Sequence, residues 1–181
     1  IIVIGGDAVL SDDPSILKYK YPRLLEVPLP LALPTILLLL ASLAWASGRG
    51  TQDFLGIGKL LSGFFAYDFI TARNDSSWTD YLGAVIGTGF MVGGYGTVAA
   101  HELTHRIKGR ITMLEGRWLL STSCNADFSI EHVYGHHVTV GTDADPATAK
   151  KGENVYAFFI RSTVDGHISA WKLELKRLRK N

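Results

Sequence analysis

Two long uncharged stretches constrain the fold of this 181-residue chain more strongly than any other feature of its sequence. The first covers 27–46 and the second covers 81–100. A helix needs about 20 apolar residues to cross the hydrocarbon core of a bilayer, and each stretch provides them. The prolines of the first stretch stand in its opening turns, where a helix tolerates them best. We therefore predict two membrane-spanning helices in an all-α, integral-membrane helical bundle.

The second stretch is rich in glycine, and its glycines are spaced for close helix contact. Gly83 and Gly87, and again Gly89 and Gly93, are four residues apart. Small residues at this spacing let helices approach closely in lipid, whereas so much glycine would weaken a helix in water. A soluble glycine-rich loop is the alternative. The stretch contains none of the Asp, Asn, Ser or Pro residues that such loops carry, which favours the membrane helix.

The segment 54–70 is apolar but contains Lys59 and Asp68, so topology must decide where it lies. Each of these charges would cost about 2.5–3.5 kcal/mol at the centre of a spanning helix. Basic clusters flank the two spans, with Lys18, Lys20 and Arg23 before the first and Arg106, Lys108 and Arg110 after the second. If both clusters are cytoplasmic, an even number of crossings separates them. We therefore expect 54–70 to be interfacial or re-entrant on the opposite side.

Two further segments mix charged and apolar residues. The pattern of 111–130 predicts an amphipathic helix that packs on the membrane domain. In 168–180, apolar residues at helical spacing stand opposite basic residues. This pattern is typical of a helix that lies on an anionic membrane surface. An ordinary solvated basic face is the alternative, and the pattern leaves both open.

Composition excludes some functions and bears on the extent of the chain. A formal net charge of +1 gives no argument for nucleic acid as a partner. The single cysteine, Cys124, excludes an internal disulfide and a cysteine-rich metal site, and we expect it to be buried. The chain begins with Ile1 and ends in a basic helical pattern without a cap. We therefore expect 1–181 to be a single membrane domain, incomplete at both ends.

Five of the six histidines fall into two short motifs, 101–105 and 132–137. The first is His-Glu-Leu-Thr-His, at the end of the second predicted span, and the other is His-Val-Tyr-Gly-His-His. Residues four apart share one face of an α-helix, so each motif offers a pair of imidazoles to one ion, and we expect His137 to point away toward a second ion. We predict two metals held by His101, His105, His132, His136 and His137. Imidazole suits zinc, copper and iron alike.

Two alternatives use the same histidines differently. His-Glu-x-x-His is the signature of zinc proteases, in which Glu102 would be the general base. That site would use only His101 and His105 and leave the second motif idle. A membrane protein that binds or transports a metal ion is the other alternative. It predicts polar residues inside the spans, and both predicted spans lack charge.

Both motifs, with the sequence that follows them, resemble the membrane alkane 1-monooxygenases (alkane omega-hydroxylases), which belong to the membrane fatty acid desaturase and hydroxylase superfamily. The resemblance lies in 101–106, in 131–137, in 140–149 and 152–158, and in Arg161-Ser162 and Ser169-Ala170-Trp171. It is dense over 98–178. Where that family often has Pro-Glu-Asp-Pro, this chain has Asp143-Ala144-Asp145-Pro146.

This resemblance implies an O2-dependent enzyme that hydroxylates a terminal C–H bond of an alkane or a similar lipophilic substrate. It implies a di-iron centre of two non-haem iron ions, with the five clustered histidines as ligands. It also implies a rubredoxin-type electron donor that an NADH-dependent reductase reduces. The family has further ligand histidines in a third motif that is not found in 1–181, so we expect this chain alone to be inactive. A membrane lipid desaturase or hydroxylase on the same site is the alternative.

Carboxylates near the histidines complete the predicted site. Ligating histidines usually donate their second ring N–H to a carboxylate, and the candidates are Glu102, Glu131, Asp145 and Glu153. Asp145 could instead serve only in an Asp-Pro turn. The resemblance implies a multi-pass protein of a bacterial inner membrane. The basic residues after the second span and the need for a water-soluble reductant predict that the histidine-bearing helix ends face the cytoplasm.

A basic surface is expected beside these helix ends. An acidic electron carrier could recognise it there, and anchoring to anionic lipid is its alternative role. The residues that would form it are Arg106, Lys108, Arg110, Lys150, Lys151 and the basic tail 172–180.

Overall fold

The computed structural model describes residues 20, 21, 24 and 26–180, which form helices and no strand. The helices are α1 (Pro28–Ala46), α2 (Ile57–Phe65), α3 (Phe69–Asp75), α4 (Trp78–His105), α5 (Arg110–Thr122), α6 (128–139) and α7 (Val155–Leu178). The predicted all-α fold class is therefore confirmed. Lys18 and Arg23, two of the basic residues predicted to be cytoplasmic, lie outside the described residues.

Helices α1 and α4 are long and apolar enough to cross a membrane, and they contain most of the two stretches predicted to do so. Prolines occupy the first turn of α1, where the backbone N–H groups would have no partner within the helix. A capping box between Ser77 and Asp80 starts α4. With 28 residues, α4 is about 42 Å long, against a hydrocarbon core of about 30 Å. Its last turns can therefore extend beyond the lipid.

The segment 54–70 forms two short helices joined at a sharp bend. The helical stretch Phe54–Phe65, which includes α2, and the following α3 are bent by 112° relative to each other. The bend follows Ala66, whose φ of 49° is left-handed. Asp68 then caps α3 by accepting the backbone N–H groups of Ile70 and Thr71. This geometry is that of a broken span or of a re-entrant loop, and the interfacial placement stays a prediction.

The two mixed segments depart from their predicted bounds. Helix α5 ends at Thr122 and does not reach residue 130, because Cys124 turns the chain with a φ of 56°. Cys124 is exposed in that turn, so the expectation that it is buried was wrong. Helix α7 begins well before residue 168, since Asn154 caps it by accepting the backbone N–H groups of Tyr156 and Ala157.

The buried core joins α1, α4 and α5. It contains Ala32, Ile36, Val92, Ala99, Ala100, Leu103, Leu119 and Leu120. Gly116 of α5 lies so close to α4 that a Cβ there would be 3.1 Å from Leu103 Cβ. This contact fixes the end of α4 that carries the first histidine motif.

The glycines spaced four apart in α4 are in different surroundings from Gly116. A Cβ on any of the four glycines that are spaced four apart would meet no atom of the described residues within 4 Å. The close-contact face of the second span is therefore open in this structure. A helical partner for that face stays a prediction.

Candidate metal centre

The first histidine motif occupies the last turns of α4, where the backbone is a regular α-helix. His101 and His105 are four residues apart and share one face of this helix. Their Nε2 atoms are 3.3 Å apart. The predicted pairing of these two imidazoles is therefore present in the structure.

The second motif lies in a π-helical segment, His132–His136. In a π-helix the backbone N–H bonds the carbonyl five residues earlier, and the N–H of His137 bonds the carbonyl of His132 in this way. The Nε2 atoms of His132 and His137 consequently lie 3.1 Å apart. His136 remains beside His132, but its Nδ1 is directed to Asp145. The structure thus differs from the prediction that His132 pairs with His136 while His137 points away. The helix is wider there, so His137 and not His136 turns its Nε2 toward that of His132.

His132 is the hub that connects the two motifs. Its Nε2 atom lies 2.7 Å from that of His101 and 3.2 Å from that of His105. The ligand atoms of these three residues all lie within 4.8 Å of one another. Two nitrogens that each bind a metal at about 2.1 Å in adjacent positions are about 3 Å apart, so the spacing suits one ion.

The chemistry of this donor set also favours a cation. A neutral imidazole has one N–H donor and one acceptor nitrogen, so three clustered Nε2 atoms cannot all be paired through shared protons. His132 is buried, and its burial, with the neighbouring imidazoles, lowers its pKa to about 4. It is therefore neutral near pH 7, which is the form that binds a metal. The residues fit a metal ion held by imidazole nitrogens.

Phe128 supports the hub, although it was not among the site residues predicted from the sequence. Its ring stacks on His132 with centroids 4.6 Å apart and an angle of 13°. The available signal was the spacing, because Phe128 precedes His132 by four residues. An aromatic face against the imidazole limits both its rotation and its access to water.

Asp145 is the predicted carboxylate that the structure places on a histidine. Its side chain is fully buried, and its Oδ2 lies 2.9 Å from Nδ1 of His136. Thr148 Oγ1 donates to the same oxygen, and the backbone N–H of Ala147 donates to Oδ1. Burial alone would raise the pKa of Asp145, but these hydrogen bonds outweigh it and lower the pKa. The ionised carboxylate holds the ring of His136 and leaves its Nε2 available.

Glu131 is buried near the second motif, with its Oε1 unpaired among the described residues. Burial, followed by the charge of Asp145, raises its pKa. A Cβ on Gly135 would lie 2.5 Å from Glu131 Oε1, so the glycine of the motif makes room for this side chain.

The other predicted acids contact arginines. Glu102 accepts a hydrogen bond from Arg106 at 3.2 Å. Glu153 pairs with Arg161, and neither glutamate contacts a histidine among the residues that the structure describes. His167 bonds the carbonyl of Thr163 and lies outside the cluster, as expected for an isolated histidine.

Comparison with known proteins agrees with this site. The family model described as "Fatty acid desaturase" matches residues 76–181, a region that contains both histidine motifs. Alkane 1-monooxygenase 1 of Pseudomonas aeruginosa is 33% identical over 150 residues, which cover 83% of this chain and 34% of that protein. Alkane 1-monooxygenase of Acinetobacter baylyi is 33% identical over 132 residues, which cover 73% of this chain and 31% of that protein. Alkane 1-monooxygenase of Ectopseudomonas oleovorans is 37% identical over 102 residues, which cover 56% of this chain and 25% of that protein. The chain spans between a quarter and about a third of the length of these curated relatives.

Proposed function

The chain belongs to the fatty acid desaturase family, and on this ground we propose that it is part of a membrane monooxygenase. The enzyme would use O2 to hydroxylate a terminal C–H bond of an alkane or a similar lipophilic substrate. The similarity to alkane 1-monooxygenases, at 31–37% identity, supports this substrate class. The observation that carries the proposal is the hub of imidazole nitrogens around His132, which joins two distant motifs at one point.

The proposed metals are two non-haem iron ions. His101, His105 and His132 would hold one ion. His137, whose Nε2 lies 3.1 Å from that of His132, and His136 would supply the remaining imidazoles of the two-iron centre. Bound iron would supply the oxidising chemistry, with O2 as co-substrate and two electrons from outside. Asp145 orients His136, and Phe128 shields His132. Two irons need more ligands than five imidazoles provide, so we expect further ligands from parts of the protein outside 1–181.

A lipophilic substrate dissolves in the bilayer, so its path should open among the spanning helices. Helices α1 and α4 are the candidates for spans, and α4 carries the first histidine motif at its end. The open glycine face of α4 offers close contact to another helix or to a hydrocarbon chain.

Electrons would come from a rubredoxin-type carrier with an NADH-dependent reductase. The exposed ring of Tyr134, which lies within the second motif, lines a cleft of about 550 Å³. The basic residues of that cleft are Arg117, Lys176, Arg177 and Lys180. Their charge would attract an acidic carrier and would speed its association more than it would tighten its binding. Part of the basic tail therefore lies beside the proposed site.

The reaction can be tested on the full-length protein, with carrier and reductase supplied. We expect a medium-chain alkane to be converted to its primary alcohol, and His132→Ala to abolish the conversion. An alkene or an unsaturated lipid as the product would favour the desaturase alternative. Peptide-bond cleavage by a protein that contains stoichiometric zinc would favour the protease alternative.

The proposed location, a multi-pass membrane protein with the site facing the cytoplasm, has its own test. Reporters fused after Lys20 and after Arg110 should both lie in the cytoplasm, and one within 47–53 should lie on the opposite side. Opposite locations for the first two would mean that 54–70 crosses the membrane.

A further inference from the structure

Asp145 lies in the loop between α6 and α7, and Arg161 of α7 binds that loop. Arg161 donates through Nε to Glu153 Oε1 at 2.6 Å and through Nη2 to Glu153 Oε2 at 2.8 Å. Both side chains are largely buried, at 19% and 11% exposure. A bidentate pair of this kind fixes the plane of the guanidinium group.

The remaining donors of Arg161 reach the loop itself. Nη1 donates to the carbonyl of Pro146 and Nη2 to that of Thr148, each at 3.0 Å. Pro146 follows Asp145 directly, and the Thr148 hydroxyl donates to Oδ2 of Asp145. That oxygen is the one that faces Nδ1 of His136. One guanidinium group therefore fixes the backbone on which the histidine-bound carboxylate stands.

We propose that Arg161, held in place by Glu153, is a positioning residue for the metal ligand His136. It locks 145–148 so that Asp145 holds Nδ1 of His136 and leaves Nε2 available to a metal. This role rests on the metal centre proposed above. It also gives Glu153 a place in the site, through Arg161 and the Asp145 loop, whereas the sequence predicts direct contact with a histidine.

The same helix contains a second arginine–glutamate pair that lacks these contacts. Arg177 and Glu174 are three residues apart, with side chains 59% and 32% exposed. Arg177 donates its hydrogen bonds from Nε and Nη2 to Glu174 alone. Arg177→Gln is therefore a matched control, because it breaks a pair in α7 without touching the Asp145 loop.

The test uses the full-length protein, solubilised and reloaded with iron(II), and measures iron affinity by competition with a chelator. Removal of an outer partner of a metal-bound histidine typically costs 10- to 100-fold in affinity, and we expect Asp145→Ala to fall in this range. Arg161→Gln should cost about tenfold, at the low end of it. Arg177→Gln should leave the affinity unchanged, since iron binding needs no electron carrier.

A double-mutant cycle separates positioning from general support. If Arg161 acts through Asp145, the double variant Asp145→Ala/Arg161→Gln binds iron as weakly as Asp145→Ala alone. Full additivity of the two losses would overturn the proposal. So would wild-type iron affinity in Arg161→Gln together with a lowered unfolding temperature. If Arg161→Gln does not fold, Arg161→Lys replaces it, because lysine lacks the planar fork that serves Glu153 and both carbonyls.

Amide hydrogen exchange gives a readout that does not depend on metal. In the metal-free protein, Arg161→Gln should speed exchange in 141–148, whereas Arg177→Gln should not. Unchanged exchange there would overturn the inference even if the iron centre is real. A wild-type protein that binds no iron would instead contradict the proposed function, while the exchange result would still decide whether Arg161 holds the loop.

Discussion

Both histidine motifs contain two histidines four residues apart, but only in the first motif do those two histidines bring their Nε2 atoms together. On the α-helical end of α4, residues four apart bring their Nε2 atoms within 3.3 Å. On the π-helical segment, residues five apart do so, at 3.1 Å. His136, four residues after His132, has its Nδ1 on Asp145 instead. The comparison teaches that histidine spacing predicts a shared ion only together with the local helix type.

A π-helical segment also precedes the first motif, yet it does not alter the pairing there. It covers Val92–Gly96 and ends before His101, so the first motif lies in regular helix. The segment is tied to α1, because the Tyr95 hydroxyl donates to the carbonyl of Pro28 at 2.7 Å. A π turn outside a motif therefore rotates the whole motif, whereas one inside it changes which residues meet.

The largest expected effect follows from loss of the hub that joins the two motifs. His132→Ala should lower iron affinity more than about 100-fold, since it removes a proposed ligand and not only an outer partner. His167→Ala is the control, because His167 lies outside the cluster. Iron content of the purified full-length protein measures both. Equal iron in the two variants would show that the motifs do not meet at His132.

A second variant targets the π-helical segment directly. Gly135→Ala places a Cβ 2.5 Å from Glu131 Oε1, so Glu131 or the helix must shift. We expect a cost of about 1–3 kcal/mol in stability, with partial loss of iron. Gly166→Ala in α7 is the control, because its Cβ would meet no described atom within 4 Å. That change should stabilise the helix by up to about 1 kcal/mol.

Unfolding temperature and iron content distinguish these glycine variants. If Gly135→Ala keeps the unfolding temperature and the iron content at the wild-type level, the Glu131 side chain can move aside at little cost and does not constrain the second motif. A loss in Gly166→Ala as large as in Gly135→Ala would mean that α7 is covered by a partner at that point.

Much of the site could be predicted from the sequence, because its main signals are local. The two uncharged stretches gave the candidate spans, and the clustering of histidines gave the candidate ligands. The π-helical segment could not be predicted, since the backbone widens where Glu131 and Gly135 pack together. The partner of Glu153 was also missed, because it depends on which arginine the folded loop and helix bring close. The partner of Glu102 is Arg106, four residues later, and that spacing was a local signal that could have predicted the pair. Asp145 was a candidate, and folding of its loop places it on His136.

A smaller effect is expected on stability, and it tests the ion pair between Arg161 and Glu153, which supports the second motif. The hydrogen bond from Arg161 lowers the pKa of Glu153 to about 2, from an ordinary value of 4.5. A lowered pKa in the folded state stabilises the protein above the unfolded value, and this contribution is lost as pH falls through the folded value. The gap in unfolding temperature between wild type and Glu153→Gln should therefore be full at pH 7 and shrink below about pH 4.5.

Glu174→Gln provides the comparison for this pH dependence, because its pair with Arg177 is more exposed. We expect a smaller gap for it at pH 7, since exposed ion pairs contribute little. The measurement is the unfolding temperature of the solubilised full-length protein from pH 7 to pH 3. A gap for Glu153→Gln that stays constant over this range would mean that its ion pair does not stabilise the loop.

The most direct test of the metal centre is elemental analysis combined with Mössbauer spectroscopy on the purified full-length protein. The proposed site predicts about two irons per chain in a nitrogen-rich environment, and loss of iron in His136→Ala as well as in His137→Ala. Stoichiometric zinc with no iron would contradict it, and so would iron that is retained in full by both variants.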